Sequence, residues 1–437
     1  MTLALIGAAF LALLFIAPRL ETGRAPSGGA ILLGALLLRL PLLPLPPTLS
    51  DDALRYLWDG KVASAGWNPY ALTPEAEQLT PLRDESWRRL PHKAVPTVYP
   101  PLSLAAFSIA SRLPFPMSAW KILVSGADLA GCWLLLQLAR KLGIPEGRTV
   151  WYAWNPLVTL EVAGMGHVDP LGAAAAIGAV LLLVPPVRRG AAAALAAAGA
   201  LAKLVPLAAL PLWARRSGRP WRFLAASLGL VAVAVWPVVT ATGGVPPGLV
   251  TYGVSWEFDG LLFEPLWRLL RTIGAAPALA LGLDRLKELT GIYQGLNPLY
   301  PYLYPQFLAK LLLGILMGAA VLLSLRERDP AAGTGRLFGR LLLCSATVYP
   351  WYLLWVLPFA ALRREAAWLV LSASVLVSYL AQFAGMELWP WVYLGVWGPF
   401  GVVVVAQRLR RVSEPSPPGP LSLPLPPSLT GRGGESA

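Results

Sequence analysis

The sequence predicts an all-α, polytopic transmembrane protein of about 10 to 13 helices, several of them short or broken. Three observations carry that reading. Hydrophobic residues make up 56% of the chain and charged residues 14%, whereas a soluble surface needs about 25% charged residues. Apolar stretches at 30–49, 223–242 and 307–325 each reach the roughly 20 residues that a helix needs to cross a bilayer. The net charge of +13 is divided into short basic clusters between such stretches, a pattern of membrane topology and not of a nucleic-acid face.

Residues 1–17 read as a retained helix, because the stretch lacks a positive leader and a small-residue cleavage site. The basic clusters are Arg19 with Arg24, Arg140 with Lys141 and Arg148, Arg188 with Arg189, Arg215 with Arg216, Arg326 with Arg328, Arg363 with Arg364, and Arg408 to Arg411. Placing all of them in the cytoplasm requires an even number of crossings between successive clusters. Residues 51–100 are then a first outer loop, and 119–138 return inside. The piece 101–113 is too short to span and is closed by Leu113-Pro114-Phe115-Pro116, so it belongs at the outer surface or as a re-entrant segment. Residues 150–165 go out and 170–184 come back, which puts Gly166-His167-Val168-Asp169 at the outer side.

The run 190–214 is too short for two full spans and is interrupted by Lys203 and Pro206. Two half-helices meeting there satisfy the rule, and 337–362 repeats the pattern at Tyr349-Pro350-Trp351-Tyr352. Broken helices are tolerated in membranes where the freed backbone groups face protein or a water-filled cavity, the usual setting of a binding site. Residues 241–304 form a second outer segment, placed to cap the site. Two more crossings, 366–384 and 391–406, end a single polytopic domain over 1–412. The Pro/Ser/Gly-rich 413–437 reads as a disordered cytoplasmic tail. Cys132 and Cys344 lie in separate apolar runs and suit buried packing, not a disulfide or metal. No P-loop, dinucleotide fingerprint, zinc spacing or nucleophile elbow is present in the sequence.

Candidate chemistry begins at Ser50-Asp51-Asp52. The structural reading is a helix N-terminus, where acids are favoured, with Asp51 and Arg55 in an i,i+4 salt bridge. The functional reading is a carboxylate at the interface that deprotonates an acceptor hydroxyl or holds a divalent cation against a phosphate; that cation, on Asp51 and Asp52, is the one cofactor candidate. Asp52 and Tyr56 share a helix face by the same spacing. Asn68-Pro69-Tyr70 closes the short helix, and Tyr99 precedes the next apolar run; aromatics at this depth also serve as plain interfacial anchors. His167 and Asp169 form a polar pair in a tight turn, either a structural hydrogen-bonding pair or one facing the cavity of Asp51 and Asp52. Lys203 has no charged neighbour in sequence, so its ammonium snorkels or meets an anion such as a departing lipid phosphate. His92, in a charged loop beside Lys93, is expected to be solvated.

In this order Ser50-Asp51-Asp52, Tyr56-Leu57-Trp58-Asp59-Gly60, Asn68-Pro69-Tyr70, Tyr99-Pro100-Pro101-Leu102, Trp154-Asn155-Pro156-Leu157, Gly166-His167-Val168-Asp169, Lys203-Leu204-Val205-Pro206 and Tyr349-Pro350-Trp351-Tyr352 resemble GT-C fold glycosyltransferases. More narrowly the chain resembles bacterial polyprenol-phosphate-mannose-dependent mannosyltransferases, and distantly the first mannosyltransferase of GPI-anchor synthesis. The resemblance implies a core of transmembrane helices, a polyprenyl-phosphate sugar donor, a lipid or glycan acceptor and a plasma-membrane enzyme with an extracytoplasmic site. It puts Asp51 at the position of the catalytic acid with Asp52 beside it. The implied substrate-binding set is Arg55, Tyr56, Asn68, Tyr70, Tyr99, His167, Asp169, Lys203, Trp351 and Tyr352. The adjacent Asp51-Asp52 departs from the separated Asp-x-Asp of the GPI enzyme, which leaves metal dependence open. A multi-pass lipid or solute transporter or flippase is the competing class. It should show internal repeats and midplane coupling charges, whereas the acids here gather at helix ends.

Overall fold

The computed structural model describes residues 3–22 and 26–413; Arg24 and almost all of the expected tail, 414–437, lie outside the described residues. Among the described residues the regular structure is helical, with only isolated bridges from Phe258 and Asp259 to Thr347. Among the described residues four helices are long and apolar enough to cross a membrane: Pro116–Lys141, Pro220–Thr242, Pro305–Ser324 and Leu388–Arg410. Six shorter apolar helices accompany them, and the protein is a multi-pass membrane protein. Three of the four long helices open on proline, which loses nothing where the N–H has no intrahelical partner. Pro220–Thr242 leaves Val233 76% and Trp236 68% exposed, as an apolar helix does when one side faces lipid.

The stretch 30–49 departs from the expected span. Ser27 caps helix Gly28–Arg39 by accepting from the Ala30 amide at 3.3 Å, but only a 3₁₀ turn, Leu40–Leu42, follows. Pro41, Pro44, Pro46 and Pro47 lack the amide protons that a longer helix would need. Likewise 150–165 is not one helix. It divides into Val150–Ala153, Pro156–Thr159 and a π-helical turn, Leu160–Gly164. The division falls at Asn155, whose Oδ1 accepts from the Leu157 amide at 3.0 Å and whose Nδ2 donates to Ser372 Oγ at 3.0 Å.

Helix Pro101–Ser111 packs against Asp52–Ser64, Pro116–Lys141 and Arg189–Ala202. The first of these contacts requires Gly60, since a Cβ there would lie 2.3 Å from the Phe107 carbonyl. Ser103 Oγ donates to the Ala202 carbonyl at 2.7 Å, a bond to the broken end of the half-helix. Arg189–Ala202 stops at Lys203, which is extended at φ −155° and ψ 143°, and Val205–Ala209 and Leu210–Arg216 resume the chain. The later break runs from Pro330–Leu343 through Tyr349 to a 3₁₀ turn, Pro350–Trp355.

One large cluster of buried side chains runs from Phe10 to Phe400; Cys132 and Cys344 are buried and unpaired. A pair missed in sequence crosses that core. Arg39, 1% exposed, donates from Nε to Asp128 Oδ2 at 2.8 Å, and Tyr152 donates its hydroxyl to Asp128 Oδ1 at 2.6 Å. Removing one partner strands the other charge in a low-dielectric interior. Arg39→Ala or Asp128→Ala is therefore expected to destabilise the protein by about 3–5 kcal/mol. In detergent melting, the single variants should unfold well below wild type and Arg39→Met with Asp128→Leu should recover most of the loss; single variants that melt like wild type would show that the pair contributes little.

Candidate active site

A cavity of about 270 Å³ opens where the two helix breaks meet the start of helix Asp52–Ser64. The helix begins at Asp52 because Ser50 Oγ accepts from the Asp52 amide at 3.2 Å. Asp51 and Asp52 both line the cavity but leave the backbone in different directions. Asp51 takes an exposed salt bridge from Arg89 at 2.6 Å. Asp52 is 27% exposed at its side chain and takes the Tyr56 hydroxyl at 3.5 Å. Burial, the largest influence, and the nearby Asp169 raise its carboxyl to about 6, against the lowering effect of Lys203.

The anticipated Asp51–Arg55 salt bridge does not form. Arg55 turns to Asp59 at 2.8 Å and to the carbonyls of His92 at 2.9 Å and Val95 at 2.6 Å, because Asp59 is the buried acid one turn along its own helix face. Its fork thus fastens the loop 91–95 over the cavity. This also corrects the solvated reading of His92, which lines the cavity and lies 4.4 Å from the Trp256 ring. Burial, with a smaller contribution from Arg55, lowers the His92 pKa.

Lys203 reaches the cavity from the first break, held by Asp169 at 2.6 Å and lying 4.7 Å from the Tyr352 ring centroid. Asp169 is fully buried and also takes Trp355 Nε1 at 2.7 Å. Tyr349, Trp351 and Tyr352 come from the second break; Tyr349 and Trp351 stack at 4.5 Å, and the Tyr352 hydroxyl meets that of Tyr252 at 2.5 Å. Tyr56 stacks on Phe107 at 4.8 Å and Tyr99 meets it edge-on at 4.9 Å. Asn68 and Tyr70 stay outside the lining: Asn68 Oδ1 accepts from the Tyr70 amide at 2.9 Å, and the Tyr70 hydroxyl donates to the Tyr99 carbonyl at 2.9 Å. They brace Tyr99 from behind.

His167 sits behind the wall, fully buried, its ring stacked on Trp351 at 3.7 Å. Its Nδ1 is 3.9 Å from Asp52 Oδ2 and its Nε2 is 3.2 Å from Glu161 Oε2. Burial, then Lys203, holds the imidazole well below its usual range. Glu161 was missed in sequence, although a lone Glu in an apolar run is itself a signal. Tyr252 and Tyr379 were missed because aromatics carry no such mark. Among the described residues no three His, Cys, Asp or Glu side chains are grouped to hold a metal ion, and Asp51 and Asp52 face different partners.

The cavity joins an accessible carboxylate without a cationic partner to a lysine on a broken membrane helix, an arrangement that moves a proton and meets an anion at one point. That is the equipment of an integral-membrane transferase acting on a hydroxyl. Residues 1–216 match the model of the MptA/B family, described as alpha-(1->6)-mannopyranosyltransferase, N-terminal domain, so over that stretch the chain is similar to these membrane mannosyltransferases. The matched stretch carries Asp52, Glu161, His167, Asp169 and Lys203, while Trp351, Tyr352 and Tyr379 lie beyond it. The competing transporter reading gives way to that of an enzyme. Comparison with the curated proteins and with the solved structures gives no match.

Proposed function

We propose that the protein transfers a mannosyl residue from a polyprenyl-phosphate donor to a hydroxyl of a lipid or glycan acceptor, at the extracytoplasmic face of the plasma membrane and with inversion. The observation that carries this is the juxtaposition of Asp52 and Lys203 in one cavity at the end of membrane helices. Asp52 takes the acceptor proton as the hydroxyl oxygen attacks the anomeric carbon. The bond from that carbon to the phosphate oxygen breaks, its electron pair stays on the phosphate, and Lys203 stabilises the added charge. Asp169 and Glu161 are fully buried behind the wall, so neither is placed as a nucleophile for a double displacement. A single displacement inverts the centre, and an α-(1→6) product then requires a β-linked donor.

The distribution of charge supports this face. Helix Pro116–Lys141 starts beside the site, where Trp120 Nε1 donates to the Gly166 carbonyl at 2.7 Å, and ends at Arg140 and Lys141. Half-helix Arg189–Ala202 runs the other way, from Arg189 to Lys203. The basic ends thus lie away from the cavity, and basic ends stay in the cytoplasm.

Membranes containing the protein are expected to consume radiolabelled polyprenyl-phosphate mannose. Asp52 must be ionised to accept a proton, and its pKa is raised, so the rate should fall as pH drops through about 6. Transfer should persist in EDTA, given the donor geometry at Asp51 and Asp52. Use of a nucleotide-linked sugar in preference, or activity undiminished at pH 5, would overturn the donor or the base respectively.

A further inference from the structure

Glu161 has no part in the chemistry above, yet it is fully buried in an apolar setting, where an ionisable side chain is retained at a cost. The π-helical turn Leu160–Gly164 brings it there, and such turns recur at functional sites. The same turn, with Gly166 at φ 76°, swings His167 back so that its amide donates to the Glu161 carbonyl at 3.0 Å. The Tyr379 hydroxyl, 218 residues further along the chain, reaches Glu161 Oε1 at 2.9 Å and Oε2 at 3.0 Å. A row results: Tyr379, Glu161, His167, Asp52.

Hydrogen-bond inventory sets the direction of that row. Asp52 acts as a base only as a carboxylate, which accepts and cannot donate. The nitrogen facing it, His167 Nδ1, must therefore carry the imidazole proton. A neutral imidazole has one donor, so Nε2 must accept, and the group at 3.2 Å from Nε2 must supply an O–H. Neither ring nitrogen makes an aligned hydrogen bond. The 3.9 Å gap from Nδ1 to Asp52 needs a closure of about 1 Å, of the kind that catalytic hydrogen bonds undergo when substrate binds.

We propose that Glu161 is the positioning residue of this site: braced by Tyr379, it donates to Nε2 and locks His167 as the Nδ1–H tautomer, which orients Asp52 and leaves its other oxygen for the acceptor hydroxyl. The inference rests on Asp52 as the base. The charged and titratable groups that bear on His167 are Asp52 from helix Asp52–Ser64, Glu161 from its own segment, Lys203 from the first break and, through Glu161, Tyr379.

The test is the pH profile of kcat, with donor KM, for purified Glu161→Leu, Glu161→Gln and Tyr379→Phe. Glu161→Leu removes the lock, and kcat should fall about 10–100-fold with donor KM unchanged. Its acid limb should move to higher pH, because ionised Asp52 loses a donor. Glu161→Gln still accepts from Tyr379 and still presents a donor to Nε2, so it should recover all but about threefold of the Leu loss. Glu161→Leu with wild-type kcat and acid limb overturns the proposal, as does a Gln variant as impaired as Leu, which would mean that a charge and not a donor is required. If Glu161→Leu does not fold, Tyr379→Phe decides, with an expected kcat loss of about 3–10-fold and the same upward limb shift; an unchanged profile overturns the lock. Asp52→Asn in parallel separates the two readings, since its retained activity would defeat the base itself, while its inactivity beside an indifferent Glu161 defeats only the positioning role.

Discussion

Asp52→Asn is expected to lower mannosyl transfer about 10²–10⁴-fold, the range for loss of a positioned general base, and Asp51→Asn less than about fivefold. The two side chains are neighbours in sequence, and family resemblance alone points to Asp51. Geometry separates them. Asp51 spends its charge on Arg89 at 2.6 Å in a largely exposed pair, and such pairs contribute about 0–1 kcal/mol. Asp52 meets no lysine or arginine directly among the described residues; its contacts are the Tyr56 hydroxyl and the edge of His167. A carboxylate free of an ion pair and raised to about 6 keeps the proton affinity that a base near neutral pH requires. Asparagine preserves its volume and accepts a hydrogen bond but takes up no proton. Initial rates with matched expression and melting temperature would read the contrast. Equal loss from both variants would make the pair act together, and loss confined to Asp51→Asn would move the base there.

What the sequence discloses follows the range of the interaction. The half-helix breaks were legible because proline and an isolated lysine act within a few residues, and Lys203 is extended where the apolar run was read as broken. The i,i+4 face of Asp52 and Tyr56 was legible for the same reason. The misplaced partner of Arg55 shows the limit of that rule: Asp51 and Asp59 stand one turn to either side, and only the fold of 91–95, whose carbonyls take the rest of the guanidinium, decides between them. Glu161 and Tyr379 are 218 positions apart and Arg39 and Asp128 are 89 apart. No local pattern pairs such residues. A lone acid or base in an apolar run announces that a partner exists without naming it, and Arg39, Asp128, Glu161 and Lys203 are all of that kind.

Lys203 carries two duties that a pair of variants should separate. Asp169 is fully buried and holds two donors, the Lys203 ammonium at 2.6 Å and Trp355 Nε1 at 2.7 Å, while its Oδ2 has no hydrogen bond. Lys203→Met leaves that carboxylate uncompensated, and a loss of about 3–5 kcal/mol in stability is expected. It also removes the cation from the cavity, where the proposed mechanism puts added charge on the departing phosphate, and a loss of about 10²–10³-fold in kcat is expected. Adding Asp169→Asn to Lys203→Met takes the stranded charge away and still accepts from Trp355, so the melting temperature should return most of the way toward wild type. Transfer should not return with it, because the cavity still lacks an ammonium. Recovery of both properties in the double variant would reduce Lys203 to a fastener for the broken helix, and recovery of neither would show that the break needs the ion pair itself. Stability without transfer is the outcome that assigns the lysine to the phosphate.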